Sequence, residues 1–183
     1  MNKSIIPAVV IVAGAVILVA GIRGLSGEDD WICGNDGWVK HGNPSAPMPT
    51  EACGDFQTIK VYFNNSNLDS EFSCNKVFAV ERIIPKTQAV ARAAIEELLR
   101  GPTEQEKAEG FFTSINPGVK IQKLSIDDGI AVIDFNGQLE FQVGGSCRVS
   151  AIRHEIAETL KQFSSVKEVI ISIDGRTEDI LQP

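Results

Sequence analysis

The sequence predicts an α+β protein: a two-layer sandwich, mostly antiparallel sheet, with two long helices on one face. Three observations carry this expectation. Two segments, residues 87–100 and 147–163, place apolar residues at helical spacing. Five short runs rich in Ile, Val and Phe read as strands. Asp127-Asp128-Gly129 sits between two of those runs and signals a tight hairpin. The resulting order is β-β-α-β-β-α-β, which buries its apolar faces by laying helices on a sheet.

The chain has 183 residues, enough for one ordinary domain plus extensions. Its 24 Asp and Glu against 17 Lys and Arg give a formal charge of −7. An acidic surface excludes sequence-independent nucleic-acid binding, which needs a basic stripe to displace counterions. Docking by charge onto anionic lipid is excluded for the same reason.

Ile5 to Ile22 is uncharged and almost wholly aliphatic. At about 1.5 Å per residue this run is close to the hydrocarbon thickness of a bilayer. Residues 1–23 are therefore expected to be a single-pass membrane anchor, with the N-terminus cytoplasmic and the remainder exported. A cleaved signal peptide ending near Val19-Ala20-Gly21 is the competing reading.

The four cysteines, Cys33, Cys53, Cys74 and Cys147, all follow that run. Their even number fits a disulfide-forming compartment, and no Cys-x-x-Cys pair points to zinc or thioredoxin-like chemistry. Of three possible connectivities, 33–53 with 74–147 is preferred because it joins cysteines within each region. Cys147 near a helix start is alternatively a reactive thiolate.

Residues 24–56 read as an extracytoplasmic linker carrying a small hairpin, Trp31 to Lys40, with Asn35-Asp36 at its tip. Trp31 and Trp38 are candidates for a binding knob, or else cover each other or the main domain. Residues 57–183 form the globular domain. Its strands are expected around Thr58–Phe63, Val77–Ile84, Val119–Ile126, Ile130–Phe135 and Val166–Ile173, with a bulge after Ile121 where the apolar phase changes. Thr87 is expected to cap the first helix, whose buried stripe is Ala91, Ala94, Ile95 and Leu98, with Glu96 and Arg100 paired on the wet side. Thr103-Glu104-Gln105-Glu106 is a capping box for a short helix. Ser146 is expected to cap the last helix, whose stripe is Val149, Ile152, Ile156, Leu160 and Phe163.

Leu98-Leu99-Arg100-Gly101-Pro102-Thr103, Asp128-Gly129-Ile130-Ala131-Val132-Ile133-Asp134-Phe135, Thr159-Leu160 and Val169-Ile170-Ile171-Ser172-Ile173-Asp174-Gly175 occur in that order. Together they resemble the ordered motifs of GerMN domains, found in bacterial sporulation and spore-germination proteins. The resemblance implies an exported domain similar in fold to ring-building modules of secretion machinery, and assembly with protein partners of the cell envelope, a homo-oligomer included. The family carries no catalytic motif to transfer, and with no P-loop, dinucleotide fingerprint or EF-hand spacing in the sequence, no cofactor and no metal are expected. Cys74 and Cys147 depart from the family pattern.

Catalytic constellations are weakly supported. His154 and Glu158 are expected to form a surface pair, and Asp134 and Asp174 to support turns. Asn64-Asn65-Ser66 matches a glycosylation sequon. The leading expectation is a non-catalytic interaction module. The alternative is a sensory ectodomain for a small ligand or cell-wall glycan, using Trp31 and Trp38 or a cleft beside Phe111 and Phe112.

Overall fold

The computed structural model describes residues 30–34, 37–50, 53–71 and 73–182. The apolar run 5–22 and the hairpin tip Asn35-Asp36 lie outside them. No helix among the described residues is long and apolar enough to cross a membrane. The chain divides into two compact units, Met1–Asp55 and Phe56–Pro183.

In the first unit, β1 (Asp30–Gly34) pairs antiparallel with β2 (Gly37–His41), setting Trp31 opposite Lys40 and Cys33 opposite Trp38. Cys33 is bonded to Cys53. Both tryptophans are half-buried, and the Trp31 indole N–H donates to Ala46 O at 3.0 Å. The exposed apolar pair is instead Ile32 and Val39, directly opposite each other.

The second unit holds ten-residue β3 (Phe56–Asn65), β4 (Phe78–Pro85), α1 (Val90–Arg100), short α2 (Glu104–Ala108), β5 (Phe111–Phe112), β6 (Ile121–Asp127), β7 (Ile130–Phe135), α3 (Ser146–Lys161) and β8 (Glu168–Ile173). It begins one residue earlier than expected, because Phe56 already pairs with Pro85. The α+β architecture is as the sequence predicts, with the strands in two three-stranded sheets, β4-β3-β5 and β6-β7-β8. β8 runs parallel to β7, since α3 makes the crossover between them. The two-residue β5 escapes periodicity reading because it is too short to show a period.

Period-two alternation in β3 buries Ile59, Val61 and Phe63. They join Ala94, Ile95 and Leu98 of α1 and Ile152, Ile156 and Leu160 of α3 in the core. The bulge appears where the apolar phase changes: the β6–β7 register shifts between Ile121 and Lys123. Asp128 and Gly129 both have positive φ, 47° and 86°, closing the hairpin as a two-residue turn does.

Several local expectations are corrected. Thr87 accepts from Ala89 N–H at 3.2 Å, but the helix starts at Val90, with Ala89 in the capping position. Ser146 is the first residue of α3, and Gly145 holds the capping position with φ 86°. Glu96 pairs with Arg92, while Arg100 bonds Glu97. His154 Nδ1 sits 2.8 Å from Ser150 O and Glu158 pairs with Lys161, so these two residues do not pair with each other. Backbone acceptors one turn away outcompete an exposed i,i+4 partner, which is worth only a few tenths of a kcal/mol.

The capping box at Thr103 forms in full. Glu106, which closes it by accepting from Thr103 N–H at 2.8 Å, also receives a two-pronged hydrogen bond from Arg82 on β4. Burial raises the Glu106 pKa, but bonds from Arg82 and Thr103 outweigh it and leave the carboxyl below its usual range.

Candidate functional site

A cleft of about 350 Å³ opens where the end of β3, β5 and the first turn of α3 converge. That volume is in the range of small-ligand pockets. The chain builds its walls by local side-chain bonding. At the end of β3, Asn65 Oδ1 accepts from the N–H groups of Asn67 (2.8 Å) and Leu68 (3.0 Å), folding the chain into an Asx-type turn. Asn65 and Asn67 both donate to Glu109 O, which anchors the turn to the segment leading into β5. Gly110 permits this approach: its φ is 94°, and a Cβ there would meet Asn67 Nδ2 at 2.6 Å.

Asp69 follows, buried, its Oδ2 accepting from Ser73 Oγ and N–H at 2.8 Å each. The Ser73 hydroxyl bond works against burial and, with the Ser73 N–H and the Lys76 ammonium, holds the carboxyl below its usual range. The other wall is α3, tied on by the Cys74–Cys147 disulfide with Cα atoms 5.0 Å apart. All four cysteines are therefore bonded, and Cys147 is no thiolate.

Arg148, one residue on, reaches across the loop ahead of α3. Its guanidinium donates to Ser114 O, Gln142 O and Asn116 Oδ1, the last at 2.7 Å. No carboxylate among the described residues lies in ion-pair range of it. Behind Ser114, Glu155 is wholly buried. Burial pushes its carboxyl up to about 7, against bonds from Thr113 Oγ1 and Ser114 N–H.

The two aromatic candidates separate. Phe112 lines the cleft and is 45% exposed, whereas Phe111 packs against the core. Trp31 and Trp38 belong to the first unit and are not among the lining residues. Asn64, the sequon asparagine, is 6% exposed and donates through Nδ2 to Lys76 O, so its amide is committed to the fold. Asp134 accepts from Ser172 Oγ and Gly175 N–H, holding the turn after β8 as expected, whereas the Asp174 carboxylate accepts from Gln122 Nε2 on β6 and bridges strands instead. The cleft offers one carboxylate and one guanidinium, with no histidine and no free thiol. Among the described residues no cluster of His, Cys, Asp or Glu could hold a metal ion. Asp69, Arg148 and Glu155 were not legible as site residues: each sits among polar neighbours with no motif to mark it.

A second feature concerns the sheet edges. β3 pairs with β4 on one side only as far as Phe63. On its other side, Lys60 N–H donates to Gln162 Oε1 at 2.8 Å and Tyr62 N–H to Thr159 Oγ1 at 3.1 Å. Those N–H groups point away from β4, so Ile59, Val61 and Phe63 form the ladder with Arg82, Val80 and Phe78. By the same alternation, Ala79, Glu81 and Ile83 aim their backbone groups outward from β4. No strand among the described residues pairs with that outer edge. Ile83 is 75% exposed beside exposed Phe56.

A family model described as "Germane: Sporulation and spore germination" matches residues 60–179. The chain is 30% identical over 123 residues to the spore germination protein GerM of Bacillus subtilis (strain 168), covering 66% of this chain and 32% of that protein. It thus spans about a third of that relative's length. The tandem GerMN domains of the sporulation protein GerM from Bacillus subtilis superpose with a TM-score of 0.53 at 21% identity, covering 67% of this chain and 41% of that one. The first GerMN domain alone gives 0.50 at 22%, covering 66% and 85%. With the ordered motifs, the fold and the matched span in agreement, the chain belongs to the Germane family of sporulation and spore-germination domains.

Proposed function

We propose that this chain is a non-catalytic, membrane-anchored module outside the cytoplasm that joins a protein assembly of the cell envelope, in a sporulation or germination role like that of its family. The observation that carries this reading is the contrast between the two outer sides of the β3–β4 pair. Side chains at the end of α3 cover β3 at Lys60 and Tyr62, while the eight-residue β4 presents outward backbone groups and an exposed Ile83. An edge of that kind accepts a partner's extended segment by strand addition. Two disulfides support an oxidising compartment, and the apolar run Ile5 to Ile22 supports the anchor.

Protease added to intact spheroplasts should remove residues 57–183 while the chain stays in the membrane fraction. In the same cells, cross-linking should trap a second copy or an envelope protein. Full protection from protease, or monomer alone at native abundance, contradicts the reading.

A further inference from the structure

Resting on the strand-addition reading, we infer that the β4 edge takes a strand from a different protein and refuses a second copy of this chain. The segment it fits carries an apolar residue two positions before a lysine or arginine.

The outward backbone groups of β4 belong to Ala79, Glu81 and Ile83, and none of their N–H groups has a partner among the described residues. Glu81 O accepts one long bond from Arg82, at 3.3 Å, and keeps its second lone pair. The side chains of the same three residues are exposed, on the face of β4 opposite buried Ile84. In an antiparallel addition each outward residue faces an outward residue of the new strand, and such a pair exchanges two hydrogen bonds.

Two copies joined this way form a two-fold pair, with the same surface on both sides. Only an axis at Glu81 sets all three outward residues against one another: Ala79 faces Ile83 of the copy, and Glu81 faces its own counterpart. That register brings two carboxylates directly opposite, a destabilising cross-strand pair. Moving the axis to Val80 leaves Ile83 beyond the overlap. Moving it to Arg82 or Ile83 brings in Pro85, whose missing N–H drops bonds from the ladder. Glu81 thereby supplies the repulsion that discriminates against self-pairing.

A foreign strand escapes that repulsion by placing a cation beside Glu81. Lys60 stands opposite Glu81 on β3, so the new cation completes an alternating row of charge across three strands. The chain's formal charge of −7 steers basic partners the same way. Further along β4, Ile83 is 75% exposed, with exposed Phe56 and Pro85 next to it on the same face. An apolar residue beside Ile83 covers that patch. Glu81 and Ile83 are two positions apart, so both requirements fall on one face of the added strand.

The test uses the full chain in detergent micelles with a photo-cross-linking aromatic residue at Ile83. The probes are threonine-rich peptides of about eight residues. One carries leucine two positions before lysine, and one carries leucine two positions before glutamate. In the third, leucine and lysine are adjacent, which splits them between faces. The first should be captured about fivefold more than either of the others. Glu81→Lys, at an exposed position, should reverse the order of the first two. Glu81→Thr should create a second-copy adduct that the parent lacks. Capture of a second copy by the parent, or of peptides without charge preference, overturns this inference and leaves strand addition standing. Capture of no peptide at about 1 mM, a range that registers weak affinity, overturns both.

Discussion

Gln162 and Lys60, separated by 102 residues, exchange two hydrogen bonds: Lys60 N–H donates to Gln162 Oε1, and Gln162 Nε2 donates to Lys60 O at 2.6 Å. The side-chain amide takes the place that a neighbouring strand's peptide group would fill. Thr159, one turn earlier on α3, accepts from Tyr62 N–H in the same way. The end of the helix thereby acts as the missing strand along Lys60 and Tyr62, and β5 takes over that side of β3 at Asn64 and Asn65, so the stretch is not left as a sticky edge.

Removing that cover should cost stability. Gln162→Ala loses both bonds to Lys60, an expected cost of about 1–2 kcal/mol in urea unfolding. Gln162→Glu should be at least as damaging at neutral pH, because a carboxylate accepts from Lys60 N–H but cannot donate to Lys60 O. Thr159→Val, nearly the same shape, strands the Tyr62 N–H and should cost about 1–3 kcal/mol. Variants indistinguishable from the parent would mean the bonds do not hold the helix to the strand.

Glu155 gives the domain an unusual pH response. Its carboxyl titrates at about 7 when folded and near 4.5 when unfolded. Between those values the folded chain holds a proton that the unfolded chain has lost. Stability attached to this group is therefore full below about pH 4.5, declines as pH rises toward 7, and levels off above, by about 3 kcal/mol at most. Glu155→Gln can accept from Ser114 N–H and donate to Thr113 Oγ1, as the protonated acid does. It should match the parent near pH 5 and exceed it near pH 8 in urea midpoints. A parent and variant that keep parallel profiles would exclude Glu155 as the source.

The Cys74–Cys147 bridge spans 73 residues. Closing so long a loop restricts the unfolded chain by roughly 4 kcal/mol. Cys74→Ser with Cys147→Ser should lower the stability of unit Phe56–Pro183 by about that amount, whereas Cys33→Ser with Cys53→Ser should leave that unit's midpoint unchanged. Thermal unfolding of both double variants checks this; equal losses would show that the two units share one stability.

Strong periodicity made most of the fold legible. Ile59, Val61 and Phe63 alternate, and Ala91, Ala94, Ile95 and Leu98 recur at helical spacing, so both elements and their buried faces follow from the sequence. The bulge was visible because Leu124 and Ile126 shift the apolar phase after Ile121. Helix starts were less legible: Thr87 and Ser146 are good capping residues, but the chain turns helical after Ala89 and Gly145, where backbone geometry decides. Glu155 and Thr159 fall outside the apolar stripe read for the last helix, and their burial was not legible because their partners, Ser114 and Tyr62, are distant in sequence. Phe111 and Phe112 pointed toward a cleft, but its other walls were not legible: Asn64, Asp69 and Arg148 reach it through a disulfide and a turn that no periodicity encodes.

The edge of β4 decides the central claim. A photo-cross-linking residue placed at Ile83 in the native membrane should capture a second copy of the chain or one envelope protein through its extended segment. Ile83→Pro, which removes an outward donor without breaking the β3 ladder, should abolish capture by a cross-linker at Glu81. The same cross-linker at Glu104, exposed on α2, should capture neither. Capture of the same protein from Glu104 as from Ile83, or monomer alone from every β4 position, would contradict the strand-addition account.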